Sequence, residues 1–448
     1  MWAVLLGVGL WFTVGSGGWQ VLRIGTIFRE TLGSLFQKKA RKDCVTPFQA
    51  MSTALASTVG TGNIAGVATA IVAGGPGAVF WMWVSALLGM MTKYAEVFLA
   101  VKYRRKAPGG GWMGGPMTVM EAIGWRVPAA LFAALCMTAA LGVGNLTQVN
   151  TLADAVYTVF RAPRLITGLA TAALAALVLL GGIRSVAAAA EKLVPLMSVL
   201  YILLSGAVLV LCRDGILPAL RDIVVGAFSP RAAMGGAAGY TIWRALRFGV
   251  SRGVFSNEAG LGSAPIAHAA AETDSAARQG MWGALEVFID TIVLCTLTAL
   301  VILSAGAFTP GGGADGAALT VAAFSGALGP FGAGAAAVCT ALFAFATIPG
   351  WCFYGEQCCR YLFCRKAGSR KLRTAAPIVY RTVFILMLLP GSVLRLDVVW
   401  RFADVMNAAM ALPNLAAILW LSPQVFAGLR EFALTRKGGL WYTHTHRR

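Results

Sequence analysis

The chain has 448 residues, of which 58% are hydrophobic and only 12% are charged, and its mean hydropathy is +0.73. A water-soluble protein of this length needs much more charge on its surface, so the composition excludes a soluble enzyme or regulator and predicts a membrane protein. The net charge of +19 is concentrated in loops between apolar segments, where it orients a chain in the bilayer. We therefore expect a lipid bilayer around the protein and no nucleic-acid partner.

The apolar segments, taken in chain order, predict about eleven transmembrane helices. Residues 1–46 form a leading helix and a basic cytoplasmic loop, and 47–212 form a first set of five helices. An extracytoplasmic connecting segment follows at 213–239. A second set of five helices covers 240–422, and a basic cytoplasmic tail covers 423–448.

Under this assignment the strongly basic loops all fall on one side of the membrane. They lie at 38–42, 102–106, 365–373 and 430–437. Because Lys and Arg are enriched in cytoplasmic loops, this side is predicted to be the cytoplasm, with the N-terminus outside and the C-terminus inside. We expect a multi-pass protein of the bacterial inner membrane.

A polar interruption stands inside the first helix of the ten-helix core. Ser57–Asn63 (Ser-Thr-Val-Gly-Thr-Gly-Asn) lies in an otherwise apolar segment. Gly weakens a helix, Thr and Asn offer the backbone other hydrogen-bond partners, and broken backbone at membrane depth is tolerated only where it is buried or lines a cavity. The segment therefore predicts an unwound, solute-binding helix. The alternative is close helix packing through Gly62 and Gly66.

A second interruption, Phe255–Ser263, lies in the sixth helix of the core. Two five-helix repeats of inverted topology, each opening with a broken helix, are a known transporter plan, and this spacing fits it. The interruption carries Glu258, and an ionisable residue at membrane depth is by default a functional candidate. The alternative is a structural role, in which Glu258 pairs with Arg252 or Arg247 or accepts hydrogen bonds from freed amides.

Several long segments of this sequence, within about residues 47–422, resemble motifs of the alanine or glycine:cation symporter family. The resemblance implies an all-α, LeuT-like fold with a 5+5 inverted repeat and one leading helix, and it implies symport of alanine or glycine with sodium and no cofactor. The matching strings are Gly60–Ala68, Gly74–Ala78, Phe80–Trp83, Gly89–Met90, Thr92–Lys93, Gly114–Met117, Phe255–Ala271, Tyr354–Glu356 and Met410–Leu415.

The resemblance also implies roles for particular residues. Main-chain amides of the first broken helix would bind the substrate carboxylate, the Gln148 amide would bind its polar groups, and Trp351 would close a small pocket. Hard cations prefer oxygen ligands, and a sodium site of this fold would use the carbonyls of Ala56 and Val59 with the Thr347 hydroxyl. The implied substrate-binding residues are Gly60, Thr61, Gly62, Asn63, Gln148, Asn257, Glu258, Thr347 and Trp351.

Three of these residues have a second interpretation. Gln148 could tie neighbouring helices together, Trp351 could be an interfacial anchor, and Thr347 could serve either sodium or the substrate. The sequence also departs from the family pattern at Met117-Thr118 and at Ile348-Pro349-Gly350. These departures leave the size of the accepted substrate open.

Two acidic residues, Glu286 and Asp290, lie one turn apart in the seventh core helix. They could form a route for a cation or a proton, but pairing with arginines is the favoured interpretation. Glu96 is predicted to pair with Lys93 near the cytoplasmic end of the second core helix.

Three rival functions remain to be distinguished. A proton-coupled amino-acid permease of the same fold would need a titratable group near the break. A membrane-bound enzyme would need convergent nucleophilic or metal-binding groups, and the nine Cys and three His show no such spacing. A simple channel is disfavoured by the two broken helices, which are typical of alternating access.

Overall fold

The computed structural model describes residues 1–34, 45–106, 111–228, 242–363 and 370–437. Within these residues the chain is almost entirely helical. The helices before residue 229 are α1 (Trp2–Gly15), α2 (Trp19–Leu22), α3 (Ile24–Thr31), α4 (Pro47–Thr58), α5 (Val67–Gly74), α6 (Gly77–Lys102), α7 (Pro116–Ala122), α8 (Arg126–Leu141), α9 (Thr147–Phe160), α10 (Arg164–Leu180), α11 (Gly182–Leu211) and α12 (Ile216–Phe228).

The second half of the chain continues in the same way. Its helices are α13 (Ile242–Asn257), α14 (Pro265–His268), α15 (Ala276–Val287), α16 (Thr296–Ser304), α17 (Gly316–Phe363), α18 (Arg370–Val393), α19 (Leu396–Trp420) and α20 (Ser422–Lys437). Helix α17 is two helices joined at Gly329, whose backbone is non-helical (φ 63°, ψ −153°) and which precedes Pro330. Such a Gly-Pro pair ends one helix and begins the next.

The remaining elements are short. Strands β1 (Arg105–Lys106) and β2 (Trp112–Met113) form an antiparallel pair, and single 3₁₀ turns lie at Leu32–Ser34 and Arg213–Gly215. Three π-helical segments interrupt long helices; they are Gly62–Gly66, Gly142–Leu146 and Phe288–Cys295. π-bulges inside α-helices are frequent at functional sites.

Among the described residues, seven helices are long and apolar enough to cross a membrane, and an eighth span is the bent pair of Pro47–Thr58 with Gly62–Gly74. Trp2–Gly15 and Arg164–Leu180 are apolar but shorter. The sixth helix of the predicted core, Ile242–Asn257 with α14, is the remaining candidate. The fold is thus a multi-helix membrane bundle, and the number eleven stays a prediction.

The two broken helices run in opposite directions beside each other. Helix α4, the first half of one, packs against α14, the second half of the other, and α5 packs against α13. The intervening helix α6 packs against both α13 and α15. This antiparallel placement brings the two breaks to the same depth in the centre of the bundle.

Burial follows the expected membrane pattern. Large apolar side chains on α10, α11 and α18, such as Leu177, Leu203 and Leu386, are exposed on the outside of the bundle, while the polar residues of both breaks are buried inside it. A surface of this kind needs lipid rather than water around it, since exposed apolar side chains are stable against acyl chains.

Parts of the sequence-based assignment lie outside the described residues. These are the basic cluster at 38–42, the end of the connecting segment after residue 228, residues 365–366 and the last residues of the tail from 438. The described parts of the connecting segment and the tail are largely helical, as α12 and α20.

Candidate functional site

The first broken helix starts with strong local signals and stops at the predicted interruption. At its start, Thr46 and Gln49 form a capping box in which each side chain accepts from the other residue's backbone amide, and Pro47 occupies the first helical position. Helix α4 ends at Thr58, and Val59 has a non-helical backbone (φ −74°, ψ 85°). The chain then bends by 50° before it continues as the Gly62–Gly66 π-helix and α5.

Asn63 connects the break with the seventh core helix. Its side-chain oxygen accepts a hydrogen bond from the Gly60 amide at 3.0 Å, which replaces a backbone acceptor that the break has removed. Its side-chain nitrogen donates to the Asp290 carbonyl at 3.0 Å and to Asp290 Oδ1 at 2.8 Å. Asn63 is fully buried, so each of these bonds is made away from water.

Two further helices meet the break at Gly60 and Thr61. The Thr61 amide donates to Gln148 Oε1 at 3.1 Å, and the Thr347 hydroxyl donates to the Ala56 carbonyl at 3.0 Å. A Cβ atom at Gly60 would lie 2.4 Å from Thr347 Oγ1 and 3.0 Å from Gln148 Oε1. Only glycine therefore fits between these two side chains, which the structure brings together at the first break.

Trp351 lies beside this group on α17, one turn after Thr347. Its indole nitrogen donates to the Ser57 carbonyl at 3.3 Å, and its side chain is fully buried. A Cβ atom at Gly144 would lie 1.9 Å from Trp351 Cβ, so the Gly142–Leu146 π-helix packs directly on this residue. A fully buried indole is not an interfacial anchor, and Trp351 instead fills the space between α4 and the helix that carries Gln148.

The second broken helix has a sharper turn than the first. After Asn257 the chain passes through Glu258 (φ 55°), Gly260 (φ 90°) and Gly262 (φ 81°) before α14 begins. A positive φ is routine for glycine and uncommon for Glu, so the fold imposes this backbone on Glu258. The Glu258 carboxylate accepts a hydrogen bond from the Ser263 hydroxyl inside the same turn.

Ser256, rather than its two neighbours, meets the first break. A Cβ atom at Gly62 would lie 3.0 Å from Ser256 Cα, and the Ser256 hydroxyl donates to Asp290 Oδ2 at 2.8 Å. Asn257 instead donates to Thr291 Oγ1 at 3.0 Å and accepts from the Ala259 amide at 3.0 Å. The side chains of Asn257 and Glu258 thus support the second break, and their assignment to substrate stays a prediction.

The partners predicted for the acidic residues were wrong. Asp290 accepts from Asn63, Ser256 and Thr291 and belongs to no ion pair among the described residues. Lys93 lies 3.4 Å from Glu286 rather than pairing with Glu96. Glu96 accepts from the Gly260 amide at 3.2 Å and from the Asn414 side chain.

Arg252 does not pair with Glu258 either. It forms an ion pair with Asp404 on α19 and lies over the Trp400 ring, 4.5 Å from its centroid. The prediction of arginine partners was wrong because the fold surrounds Asp290 with the Asn63, Ser256 and Thr291 side chains. It places Lys93 and His268, rather than an arginine, beside Glu286.

The assembled site offers oxygen and amide groups and one carboxylate, with no Lys or Arg among its residues. The oxygen atoms of Ala56, Thr347, Gln148 and Asp290 surround the unwound backbone. The Thr61 hydroxyl is buried and has no hydrogen-bond partner within the described part of the chain. Because an unpaired buried hydroxyl costs free energy, it is a group that a bound solute would satisfy. Sequence reasoning missed Ser256 and the place of Asp290 in this site.

The sequence and the fold are both similar to those of known transporters. An uncharacterized transporter of Haemophilus influenzae is 43% identical over 426 residues, covering 93% of this chain and 91% of that protein. The sodium/alanine symporter AgcS of Methanococcus maripaludis is 43% identical over 445 residues, covering 98% and 95%. The crystal structure of MhsT in complex with L-phenylalanine has a TM-score of 0.62 at 16% identity, covering 87% of this chain and 93% of MhsT.

These comparisons confirm the LeuT-like fold, and they identify a membrane transporter rather than an enzyme. The model of the sodium:alanine symporter family matches residues 1–445, and AgcS is 43% identical to this chain. The chain therefore belongs to the sodium:alanine symporter family.

Proposed function

We propose that the protein imports small neutral amino acids, alanine and glycine, with sodium by alternating access. Family membership supports amino-acid symport in general. The observation that carries the finer proposal is the convergence of the buried Gln148 and Thr347 side chains on Gly60 and Thr61. Residues packed this closely suit a substrate with a small side chain, and none of them is a basic partner for an acidic one.

Different groups around the unwound backbone suit the two proposed solutes, the amino acid and sodium. The Gly60 and Thr61 amides donate to the Asn63 and Gln148 side chains rather than to helix carbonyls. They stand at the N-terminal end of the second half-helix, a position that suits a substrate carboxylate. The Ala56 and Val59 carbonyls with the Thr347 hydroxyl suit sodium, a hard cation that prefers oxygen ligands. Asp290 adds a buried negative charge that a cation or an ammonium group would neutralise.

The orientation follows from the charge distribution. With the basic clusters in the cytoplasm, α14 and the start of α4 face the cytoplasm, and α5 and the start of α13 face outward. The N-terminus is then outside and the C-terminus inside, in a bacterial inner membrane. The inward sodium gradient would drive uptake in this arrangement.

The proposal is tested with purified protein in proteoliposomes. Labelled alanine is offered with an inward sodium gradient, with a matched potassium gradient, and with a proton gradient without sodium. Uptake that requires sodium, and that unlabelled alanine and glycine suppress while glutamate and lysine do not, supports the proposal. Equal uptake under the proton gradient without sodium would instead establish the proton-coupled alternative.

Thr347→Val is expected to raise the sodium concentration for half-maximal uptake about tenfold, since one lost oxygen ligand costs about 1–2 kcal/mol. The measurement is sodium-dependent alanine uptake at saturating alanine. Thr340→Val is the matched control because Thr340 is equally buried on α17 and donates to its own helix at the Ala336 carbonyl, 2.8 Å away. Equal sodium dependence of both variants would remove Thr347 from the sodium site.

Trp351→Ala is expected to admit larger side chains, because it opens space between α4 and the Gln148 helix. The measurement is competition of alanine uptake by serine, valine, leucine and phenylalanine. Since a buried Trp→Ala change costs about 3–5 kcal/mol of stability, Trp351→Phe is the milder version. Trp282→Phe, also buried, controls for general loosening. An unchanged competition profile in both Trp351 variants would contradict a steric role.

A further inference from the structure

The carbonyl of Asn63 is held by two buried hydroxyl groups in series. The Thr298 hydroxyl, on α16, donates to this carbonyl at 2.7 Å. The Tyr201 hydroxyl, on α11, lies 2.6 Å from the Thr298 oxygen. Tyr201, Thr298 and Asn63 are each 0% exposed, so both hydrogen bonds are made away from water. The first break is thus connected through α16 to a tyrosine on a third helix.

The direction of these hydrogen bonds follows from the number of protons available. The Asn63 carbonyl, at 2.7 Å, and the Leu294 carbonyl of the same helix as Thr298, at 3.2 Å, both accept from Thr298. Because a carbonyl can only accept, the single proton of the Thr298 hydroxyl serves these two groups, and Tyr201 donates its own proton to Thr298. A hydroxyl that accepts a hydrogen bond is polarised and donates a stronger one. Tyr201 therefore strengthens the bond between Thr298 and Asn63.

The helix that carries Thr298 also holds the other end of Asn63. Asp290 lies eight positions before Thr298 and accepts two hydrogen bonds from the Asn63 side chain. In a regular α-helix, residues eight apart differ by about 80° around the helix axis. The π-helical segment Phe288–Cys295 uses more residues for each turn, which reduces this difference. Asp290 and Thr298 thus reach the same residue, one at its side chain and the other at its carbonyl.

The ring of Tyr201 is fixed by aromatic packing. Its centroid lies 5.2 Å from that of Phe343 and 6.0 Å from that of Phe324, which stand on α17 on the two sides of the bend at Gly329. Its own helix, α11, packs against both α16 and α17. Aromatic pairs at these distances stabilise each other beyond the area that they bury. The Tyr201 hydroxyl therefore has a defined place from which to bind Thr298.

The direction of the Asn63 side chain depends on where its backbone is held. Asn63 lies in the Gly62–Gly66 π-helical segment, which lacks the regular hydrogen-bond ladder of an α-helix. Its side chain nevertheless reaches the first break and the seventh core helix at the same time. We propose that Tyr201 and Thr298 are positioning residues, which set the affinity for the amino acid by fixing the Asn63 carbonyl and thereby the direction of its side chain. This inference rests on the proposed function, in which Asn63 belongs to the substrate site.

Thr298→Val is expected to raise the alanine concentration for half-maximal uptake about tenfold, because the Asn63 carbonyl loses the hydroxyl that holds it. The maximal rate changes less, since every group proposed to contact the substrate remains. Thr298→Ser keeps the hydroxyl and is expected to retain the unmodified value. Thr340→Val is the matched control, because Thr340 is equally buried and donates to its own helix. Equal half-maximal concentrations for Thr298→Val and Thr340→Val would overturn the proposal.

Tyr201→Phe is expected to raise the same concentration about threefold, because Thr298 keeps its bond to Asn63 but loses the donor that polarises it. Since Tyr201 acts through the Thr298 hydroxyl, Tyr201→Phe adds nothing in the Thr298→Val protein, and a double-mutant cycle measures this non-additivity. The control is Tyr380→Phe, which removes a buried hydroxyl that donates to the Met137 carbonyl on a neighbouring helix at 3.1 Å. Additive effects of Tyr201→Phe and Thr298→Val would show that the two hydroxyls do not act in series.

The positioning itself is measured without any solute, by hydrogen exchange of peptides that cover residues 60–66. Exchange there is expected to be several-fold faster in Thr298→Val than in the unmodified protein or in Thr340→Val, because the first break is held less firmly. Unchanged exchange in Thr298→Val would contradict the positioning role. If the unmodified protein takes up no alanine, the proposed function fails by itself, and the exchange comparison still decides whether Thr298 holds the first break.

Discussion

Replacing Asn63 by Ala is expected to reduce alanine uptake by about 100-fold or more, the largest effect of any side chain in the site. Asn63 accepts from the Gly60 amide and donates to Asp290 at two atoms. Its removal leaves a buried amide and a buried carboxylate without these partners, and each lost bond to such a group costs about 1.5–3 kcal/mol. Because a loss of about 1.4 kcal/mol is tenfold in affinity, two such losses account for the expected decrease.

The measurements are uptake into proteoliposomes and thermal stabilisation of the purified protein by alanine. Asn150→Ala is the matched control, since Asn150 is also buried and also bridges two helices, donating to the Gly391 and Leu394 carbonyls at 3.0 and 2.7 Å. Both variants lose stability, but only Asn63→Ala should lose stabilisation by alanine. Normal alanine binding by Asn63→Ala would remove this residue from the site.

Asp290→Asn is expected to raise the sodium concentration for half-maximal uptake by about tenfold or more while the protein stays folded. The substitution keeps the size of the side chain and an acceptor for Asn63 or Ser256, but it removes the buried negative charge that lies between the two breaks. Asp290 has no basic partner within the described residues, and a buried carboxylate of this kind is unfavourable until a cation reaches it, so its charge is available to bind one.

Sodium dependence of alanine uptake at several fixed alanine concentrations measures this effect. Asp154→Asn serves as the control, because Asp154 forms a partly exposed pair with Arg164, and such pairs contribute little to stability. If Asp290→Asn transports with the sodium dependence of the unmodified protein, the carboxylate has only a structural role.

Part of the site could be predicted because glycine and polar residues are unusual inside an apolar membrane helix. Gly60, Gly62 and Asn63 interrupt an apolar segment, and the structure unwinds the chain there. Gln148 and Thr347 lie far from this break in sequence, and it was the resemblance to a transporter family that selected them. The structure then places both against Gly60.

Other features could not be predicted because they depend on side-chain direction. In the second break, Ser256, Asn257 and Glu258 are adjacent and all polar, yet only Ser256 faces the first break. The positive φ of Glu258 turns its side chain back to Ser263. Likewise, Lys93 is one turn from Glu96 on the same helix, but Glu286 on a neighbouring helix binds it.

The amino-acid sequence by itself determined that this protein lies in a membrane, that two of its helices are broken, and which polar residues stand at the breaks. It could do so because hydrophobicity, glycine content and loop charge are local properties of the sequence. The bilayer selects for them whatever the tertiary packing is. Only the tertiary structure decided which carboxylate lies between the two breaks and which binds His268. That choice is set by the antiparallel packing of the two broken helices, which fixes the partner that each buried charge can reach.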